Sequence, residues 1–266
     1  MDTNWIVKQS LCGVAQFDQA MASAYPESEA SLQGARNYLG TIGDVCNYML
    51  AAEQVPWAHY LPTDAKVLDI GCGGGWLTAM LTRFDAVRTV YALDSSNHFL
   101  HTMLPQVMEL MGGRTEKLVP IEGLFQPLLF EDGHLDFAVA SSALHHADNL
   151  ESVLREIRRC LKLGGVLLVI NETPWPGYRH LLSVLAAAVR ILRDLALQRY
   201  RTTSPAISSS GYLYDPKLGD RDYPVWYWRK AIEIAGFSLE SVVDTGLPTV
   251  KGSQGRPLIH FVCRAV

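Results

Sequence analysis

The sequence predicts an α/β protein built on a mostly parallel sheet with helices on both faces. Between residues 65 and 171, short apolar segments of strand length alternate with longer segments of helical spacing, and this alternation is typical of parallel sheets. The predicted strands are almost continuously apolar, as in VLLVI at residues 166–170. Such strands are buried on both faces, so helices are expected above and below the sheet.

The elements of this alternating region follow one another regularly. Strands are predicted at residues 66–70, 87–93, 117–122, 135–140 and 166–170, and helices at 76–84, 97–111 and 149–163. Before this region a helix is predicted at 44–54, ended by Pro56. The helix at 149–163 has apolar residues at helical spacing from Leu150 to Leu161. Gly164 and Gly165 are expected to end it, because glycine commonly follows the last helical turn.

The alternation stops after the fifth strand and resumes near residue 225. Residues 178–200 have the pattern of a long helix, and a loop rich in Ser, Thr, Gly and Pro follows. The chain finishes with a helix at 225–235, ended by Gly236, and strands at 238–244 and 258–262. The insertion at 172–224 predicts a cap over the substrate, since loops on a rigid sheet often carry specificity.

The composition excludes several classes of protein. The 266 residues carry 23 basic and 27 acidic side chains, a net charge of −4. Nucleic-acid binding needs a basic footprint, so no nucleic-acid partner is expected. The five cysteines contain no C-x-x-C pair and the N-terminus lacks a secretory pattern, which favours a cytoplasmic protein without disulfides. The longest apolar stretch, at 181–189, is too short to span a bilayer.

The most informative segment is VLDIGCGGG at residues 67–75, which leaves a predicted strand and enters a predicted helix. Glycines let the backbone turn tightly and approach a ligand, and the helix start offers unpaired N–H groups. A dinucleotide fingerprint would need glycine where this chain has Trp76, and a phosphate-binding loop would need G-K-[ST]. Asp69 lies in the apolar strand end, where a carboxylate needs turn N–H groups or a cationic ligand.

A second acid marks the end of the next strand. Asp94 lies 23 residues after Gly71, and an acid at this place accepts hydrogen bonds from ribose hydroxyls in nucleotide-binding folds. The alternative is a cap of the following helix by Asp94, Ser95 or Ser96.

These residues, with FEDGHLDFAVASSALHHADNLESVLREIRRCLKLGG at 130–165, resemble class I S-adenosylmethionine-dependent methyltransferases of the small-molecule, type 11-like variety. The resemblance covers residues 60–170 and, more loosely, 225–266. It implies a doubly wound, Rossmann-like seven-stranded sheet in the order 3-2-1-4-5-7-6. It also implies S-adenosyl-L-methionine as the cofactor and S-adenosyl-L-homocysteine as its product.

The chain is expected to divide into four parts, of which the lid is inferred from similar enzymes and the cap from the broken alternation of strands and helices. The expected parts are an N-terminal helical lid at 1–60, a cofactor-binding core at 61–171, the cap insertion at 172–224 and the C-terminal part of the core sheet at 225–266. Tyr25 and Tyr38 are the candidates for contact between the lid and the cofactor.

Carried to matching positions, the resemblance implies a cofactor site at the ends of the first three strands. Asp69 would contact the methionine amino group, Asp94 the ribose hydroxyls, and Ser95 would lie beside the adenine. The turn around the methionine and ribose would be formed by Gly71, Cys72, Gly73 and Gly75. After the third strand the family usually has Gly-Asp-Ala, and this chain has Gly123, Leu124 and Phe125. Without the acid, the adenine would rest on backbone groups and apolar contact.

Methyl transfer needs an acceptor atom aligned with the methyl group, and some acceptors also need a base. Ser141 is expected to face the cofactor, because the C-terminal ends of parallel strands line the ligand crevice. The candidate bases implied by the resemblance are His145, His146 and Glu172. The alternatives are a histidine that only packs and catalysis by positioning alone.

The predicted helix at 178–200 is apolar along one stripe and locally basic. A helix packed on the domain is the favoured interpretation, and a homodimer face or a lipid contact is the second. Stable membrane insertion is not expected. The tyrosines and tryptophans that follow suit an aromatic or lipid-like small-molecule acceptor, although they also serve as ordinary packing.

Two rival functions stay open. A non-catalytic protein that binds S-adenosylmethionine or S-adenosylhomocysteine would tolerate the missing acid at Leu124, whereas a dehydrogenase is disfavoured by Trp76. His98 and His101 lie one helical turn apart, and a solvated helix face is favoured over a metal pair, so no metal is predicted.

Overall fold

A computed structural model of the protein describes residues 32–175 and 223–266 continuously. It also describes a set of single residues: 3, 5, 19, 22, 23, 181, 182, 185, 188, 189, 192, 193, 206, 207, 213, 214 and 221. The remainder of the predicted helix at 178–200, most of the loop after it and Tyr25 lie outside these residues.

A seven-stranded sheet forms the centre of the molecule, in the order β3-β2-β1-β4-β5-β9-β8. Its strands are β1 (Ala65–Ile70), β2 (Val87–Asp94), β3 (Leu118–Glu122), β4 (Leu135–Ser141), β5 (Leu161–Glu172), β8 (Phe237–Pro248) and β9 (Pro257–Ala265). The first five strands are parallel and β9 is antiparallel to both of its neighbours. This is the order that the sequence predicts. Two short strands, β6 (Ala206–Ile207) and β7 (Leu213–Tyr214), pair separately.

Helices cover both faces of the sheet. They are α1 (Gln33–Gly40), α2 (Tyr48–Ala52), α3 (Trp57–Tyr60), α4 (Trp76–Thr82), α5 (Leu104–Met111), α6 (Leu150–Cys160) and α7 (Val225–Ile234). Side chains of the strands alternate between the faces, as expected from a period of two. Leu68 packs in a cluster with residues of α6 and α7, and Val67 packs in a second cluster with residues of α1, α3, α4 and α5.

Two predicted helices are interrupted. The predicted helix at 44–54 is split between a π-helical turn, Thr41–Val45, and α2. The helix at 97–111 contains a second π-helical turn, Phe99–Met103, before α5 begins. A π-helical turn contains one residue more than an α-helical turn, and this extra residue has no characteristic type in the sequence. The spacing of apolar residues therefore did not reveal either interruption.

The predicted end of the helix at 149–163 is wrong. The helix α6 ends at Cys160, and the buried Leu161 pairs with Leu135 at the start of β5. Gly164 and Gly165 do not cap the helix, because they form an irregularity within β5 where the register shifts. A Cβ at Gly165 would lie 2.9 Å from the Lys162 carbonyl oxygen, so glycine is required by close backbone approach.

The N-terminal region is attached to the core at two places that the sequence does not reveal. The N–H of Trp5 donates to the carbonyl of Glu122 at 2.8 Å, and the buried Trp5 ring meets Phe130 edge-on at 4.9 Å. Further along, the N–H of Asn47 donates to the carbonyl of Thr249, and its side chain donates to Pro248. The loop between β8 and β9 therefore holds the segment that leads into α2.

A buried histidine joins the same segment to the sheet. The Nδ1 atom of His260, in β9, accepts the backbone N–H of Asn171 at 3.1 Å, and Nε2 lies 3.0 Å from the carbonyl of Ala51. This arrangement requires the neutral ring with its proton on Nε2. Burial lowers the pKa of His260, which favours that neutral form.

Among the described residues, no helix combines the length and the apolar composition that crossing a bilayer requires.

We expect His260→Phe to lower the free energy of unfolding by about 2–5 kcal/mol near neutral pH, because a backbone N–H and a carbonyl lose their partner inside the protein. The folded-state pKa of His260 is depressed, so its stabilising contribution is present above the unfolded pKa and is lost as pH falls. The difference between wild type and variant should therefore shrink below a pH of about 6.5. Denaturant unfolding over this pH range measures it. The exposed His59→Phe serves as control, and an unchanged difference would contradict the role.

Candidate active site

The glycine-rich turn leaves β1 and folds back over the end of β2. The N–H groups of Gly71 and Cys72 both donate to the carbonyl of Leu93, at 2.8 and 3.0 Å. Gly71 has φ +66°, and a Cβ there would lie 2.7 Å from the Cβ of Ala143. Gly75 has φ +89°, and a Cβ there would lie 2.1 Å from Leu104. These positions need glycine for both conformation and space.

Asp94 connects this turn to the start of the next helix. One carboxylate oxygen accepts the N–H of Gly73 at 2.8 Å, and the other accepts the N–H of Ser96 at 2.9 Å. The helix cap is made by Ser96, whose Oγ accepts the N–H of Phe99 at 3.1 Å. The two roles considered for Asp94 are thus compatible, since each carboxylate oxygen can accept further hydrogen bonds.

Asp69 is the last but one residue of β1 and is almost fully buried, with 1% of its surface exposed. Its Oδ2 accepts the hydroxyl of Thr78, from α4, at 2.6 Å. Burial raises the pKa of Asp69 to about 7, the nearby Asp94 adds to this, and the hydrogen bond from Thr78 opposes it. A cationic group bound next to Asp69 would stabilise its ionised form.

Apolar side chains complete the walls of the turn. Tyr38, from α1, lies against Gly73 and Gly74, where a Cβ at Gly74 would lie 2.7 Å from its ring. The ring of Phe125 lies beside Gly71, with its nearest atom 3.3 Å from a Cβ placed there. Tyr38, one of the two tyrosines predicted to contact the cofactor, thus reaches the turn, and Tyr25 lies outside the described residues.

The other predicted cofactor residues surround the same turn. The N–H of Gly123 donates to the carbonyl of Asp94 at 2.8 Å, which places the end of β3 next to the end of β2. Leu124 and Ser95 are half-buried. Cys72 is buried, and its burial raises the pKa of the thiol, so the side chain is neutral.

Two of the three candidate bases form a pair at the ends of β4 and β5. Glu172 is buried, and its Oε2 lies 2.8 Å from Nδ1 of His145. Its Oε1 accepts the N–H groups of Ala143 and Leu144, at 3.2 and 3.1 Å. This carboxylate therefore holds both the loop after β4 and the orientation of one imidazole.

The third candidate, His146, lies next to this pair. Its ring packs on that of His145 with centroids 4.3 Å apart, and its carbonyl accepts the guanidinium of Arg221 at 2.6 Å. Arg221 also donates its backbone N–H to the carbonyl of His145 and pairs with Asp148. The segment 145–148 is thus fixed by an arginine that the sequence does not mark as functional.

Ser141 takes part in a polar cluster that the sequence also does not reveal. Its Oγ accepts a hydrogen bond from the side-chain amide of Asn171 at 2.9 Å, and the same amide reaches the carbonyl of Tyr48 at 3.2 Å. The hydroxyl of Ser142 donates to that of Tyr48 at 3.3 Å. Asn171 has φ +61°, a conformation that asparagine adopts more readily than most residues. These contacts connect α2 to the ends of β4 and β5.

Beyond Glu172 lies a cleft of about 80 Å³. It is lined by His145, Glu172, Arg221, Trp228 and Arg256, with Thr173, Pro174 and Tyr223. The guanidinium of Arg256 lies over the ring of Trp175, 4.2 Å from its centroid. Trp228 and Tyr223 are each only 1% exposed, so the cleft presents mainly polar and charged groups and opens next to the imidazole of His145.

The predicted solvated face at His98 and His101 is wrong for one of the two residues. His98 is buried and 7% exposed, whereas His101 is exposed and lies 3.5 Å from Glu122. Over the part of the chain that the structure describes, no group of three His, Cys, Asp or Glu residues is placed to hold a metal ion.

Comparison with known proteins identifies the domain. Residues 68–169 match the family model described as a methyltransferase domain. The chain is 28% identical over 196 residues to sterol 24-C-methyltransferase erg-4 of Neurospora crassa, covering 66% of this chain and 49% of that protein. It is 32% identical over 126 residues to an uncharacterized methyltransferase of Synechocystis sp., covering 42% and 53%. The chain spans about half the length of the curated relatives it matches.

Solved structures share the fold. The 1,6-didemethyltoxoflavin-N1-methyltransferase of Burkholderia thailandensis, with bound 1,6-didemethyltoxoflavin and S-adenosylhomocysteine, superposes with a TM-score of 0.58 at 17% identity and covers 97% of this chain and 92% of its own. An S-adenosylmethionine-dependent methyltransferase of Methanosarcina mazei gives 0.55 at 19% identity, covering 80% and 98%. The chain thus contains a methyltransferase domain at residues 68–169, and its fold is that of these methyltransferase structures.

We expect Asp69→Asn to stabilise the ligand-free protein at alkaline pH, because the amide removes a buried charge and can still accept the Thr78 hydroxyl. The folded-state pKa of Asp69 is raised, so the stability that its proton supplies is lost as pH rises through about 7. The gain of the variant over wild type should grow between a pH of about 4 and about 7 and then stay constant. Thermal unfolding across this range measures it. The exposed Asp44→Asn is the control, and a variant less stable than wild type at alkaline pH would contradict the assignment.

Proposed function

We propose that this chain transfers a methyl group from S-adenosylmethionine to a small organic acceptor. The observation that carries the proposal is the pair of carboxylates, Asp69 and Asp94, on either side of a glycine turn at the carboxyl ends of β1 and β2. Both acids are buried in a place where the fold binds ligands. The methyltransferase-domain match over residues 68–169 supports the same activity.

The residues at the turn fit the cofactor by their chemistry. The cofactor has an ammonium group, two ribose hydroxyls and a flat, largely apolar adenine. Asp69 would hold the ammonium group, because ionisation of a buried acid is favoured by a bound cation. Asp94 would accept the ribose hydroxyls, and Leu124 and Phe125 would give the adenine apolar contact. When bound, the cofactor supplies a methyl group on a positively charged sulfur.

On the acceptor side, we assign His145 as the base and Glu172 as its positioning residue. With Nδ1 donating to Glu172, the neutral ring of His145 has its proton-accepting nitrogen at Nε2. The carboxylate of Glu172 already binds two backbone N–H groups and this ring, so it orients the base and stabilises the imidazolium once a proton is taken. His146 supports His145 by ring contact.

The acceptor is proposed to enter through the cleft beyond Glu172, where polar and charged groups of His145, Arg221 and Arg256 can orient it. Relatives with sterol and heteroaromatic methyltransferase names favour a ring-bearing or lipid-like acceptor. Oxygen, nitrogen and carbon acceptors are all compatible with a single imidazole base. In-line displacement then depends on alignment of the acceptor atom with the methyl group.

The proposal is tested by incubating the purified protein with S-adenosylmethionine and panels of small aromatic and isoprenoid compounds. Acceptor-dependent release of S-adenosylhomocysteine, with a mass gain of one methyl group on the acceptor, is the expected result. Tight cofactor binding with no turnover on any acceptor would instead favour a non-catalytic binding protein.

We expect Asp94→Asn to weaken S-adenosylhomocysteine binding by roughly 10- to 100-fold, because charge-assisted hydrogen bonds to the ribose are lost. The amide can still accept one of the two backbone N–H groups, so the turn should stay folded. Titration calorimetry measures the dissociation constant. The control is the exposed Asp85→Asn, and unchanged affinity in the Asp94 variant would rule out the ribose assignment.

We expect His145→Gln to reduce turnover by roughly 10²- to 10⁴-fold while leaving S-adenosylhomocysteine affinity within about threefold, as loss of a general base predicts. Glu172→Gln should shift the acidic limb of the pH–rate profile to lower pH, because the imidazolium loses its carboxylate partner. Steady-state rates over pH, on the acceptor found above, measure both. Parallel loss of turnover and cofactor affinity in His145→Gln would identify a structural histidine instead.

A further inference from the structure

An exposed apolar face lies on the helix that follows β5. The large apolar residues described on this helix are Leu181, Leu182, Leu185, Val189 and Leu192, and each is between 54% and 66% exposed. At 100° per residue these five positions fall on one arc of the helix. Five large apolar side chains on one arc form a contiguous surface of the kind that marks an interaction site.

The segment around this face is strongly basic. Residues 178–201 contain five arginines and one aspartate, a net charge of +4, whereas the chain as a whole carries −4. Arg193 is exposed and follows directly on the apolar arc. A basic segment with an apolar face is complementary to an anionic lipid surface, which offers both negative headgroups and an apolar interior.

We propose that the apolar face of residues 181–192, which we term the lipid face, lies on an anionic lipid surface. The helix rests in the plane of the interface with its leucines in the acyl boundary, and arginines meet the headgroups. A second copy of this chain is a poorer occupant, because pairing two such faces would bring two segments of net charge +4 together. The binding needs neither cofactor nor acceptor and is independent of the proposed methyl transfer.

The lipid face is close in sequence to the proposed acceptor site. Leu181 follows Glu172 by nine positions in the sequence, so even an extended chain would place the two residues within about 30 Å of each other. A protein held on a lipid surface by residues 181–192 therefore keeps the cleft beside Glu172 near that surface. An acceptor that partitions into lipid would reach the cleft without crossing bulk water.

The test is co-sedimentation of the full chain with vesicles of phosphatidylcholine alone and of phosphatidylcholine mixed with phosphatidylglycerol. Wild type should bind the anionic vesicles more tightly than the neutral ones, and high salt should weaken this binding. The double variant Leu185→Glu, Leu192→Glu should lose about tenfold or more in affinity for anionic vesicles. Arg193→Gln should lose about fivefold, since one basic residue near the surface contributes that much.

Matched controls separate the lipid face from general surface effects. Leu163→Glu changes an 81% exposed leucine elsewhere, and Arg83→Gln removes an exposed arginine. Both should bind as wild type does, and all variants should keep the wild-type melting temperature. Failure of wild type to bind either vesicle, or equal binding by the double variant, overturns the proposal. Vesicle-independent dimerisation that the double variant abolishes, without lipid binding, overturns it in favour of a second copy.

Discussion

The structure around the site depends on the hydrogen bonds that three buried carboxylates accept at the carboxyl ends of the parallel strands. Asp69, Asp94 and Glu172 end β1, β2 and β5, and each is at most 7% exposed. Burial of a charge is costly unless hydrogen bonds compensate for it. Asp94 and Glu172 are compensated by four backbone N–H groups, which fixes the loops after β1, β2 and β4. Asp69 receives its hydrogen bonds from Thr78 alone, and burial raises its pKa to about 7.

This uneven compensation separates structural from ligand-binding roles. A carboxylate that already accepts several backbone donors contributes to the fold whether or not a ligand is present. A buried carboxylate whose donors come from one neutral residue is destabilised in its ionised form, and a bound cation would stabilise that form. Asp69 is of the second kind, so its environment suits the ammonium group that is proposed to bind there. Asp94 is of the first kind, and its oxygens have capacity for the further donors that the proposed ribose contact requires.

The sequence predicts the strands and the glycine turn because these depend on local patterns, whereas the order of the strands is implied by the resemblance to class I methyltransferases. Each of these features can be recognised from a few consecutive residues. They are the continuous apolar strands, the run of glycines in the turn and the acid at the end of β2. The contacts missed are those between distant segments. Such contacts produce no periodic pattern in the sequence. They are the packing of Trp5 on Phe130, the hydrogen bonds of His260 to Asn171 and Ala51, and the binding of Asn47 to the residues at the end of β8. The end of the helix at 149–163 was predicted wrongly from Gly164 and Gly165, because glycine is common both after a helix and at an irregularity in a strand.

The distant contacts have a consequence for access to the site. Tyr48 and Ala51, on α2, are bound to Asn171 and His260, at the ends of β5 and β9. The segment before α2 is held by the loop after β8. Removing α2 from the edge of the sheet would therefore break buried hydrogen bonds to two strands at once. The glycine turn is covered by α1, where the Tyr38 ring lies against Gly73 and Gly74. Lys251, in the loop after β8, binds the carbonyls of Gly43 and Val45 in the π-helical turn Thr41–Val45. Any movement of α1 away from the glycine turn should therefore hinge before Gly43, because the chain from Gly43 onward is anchored to that loop.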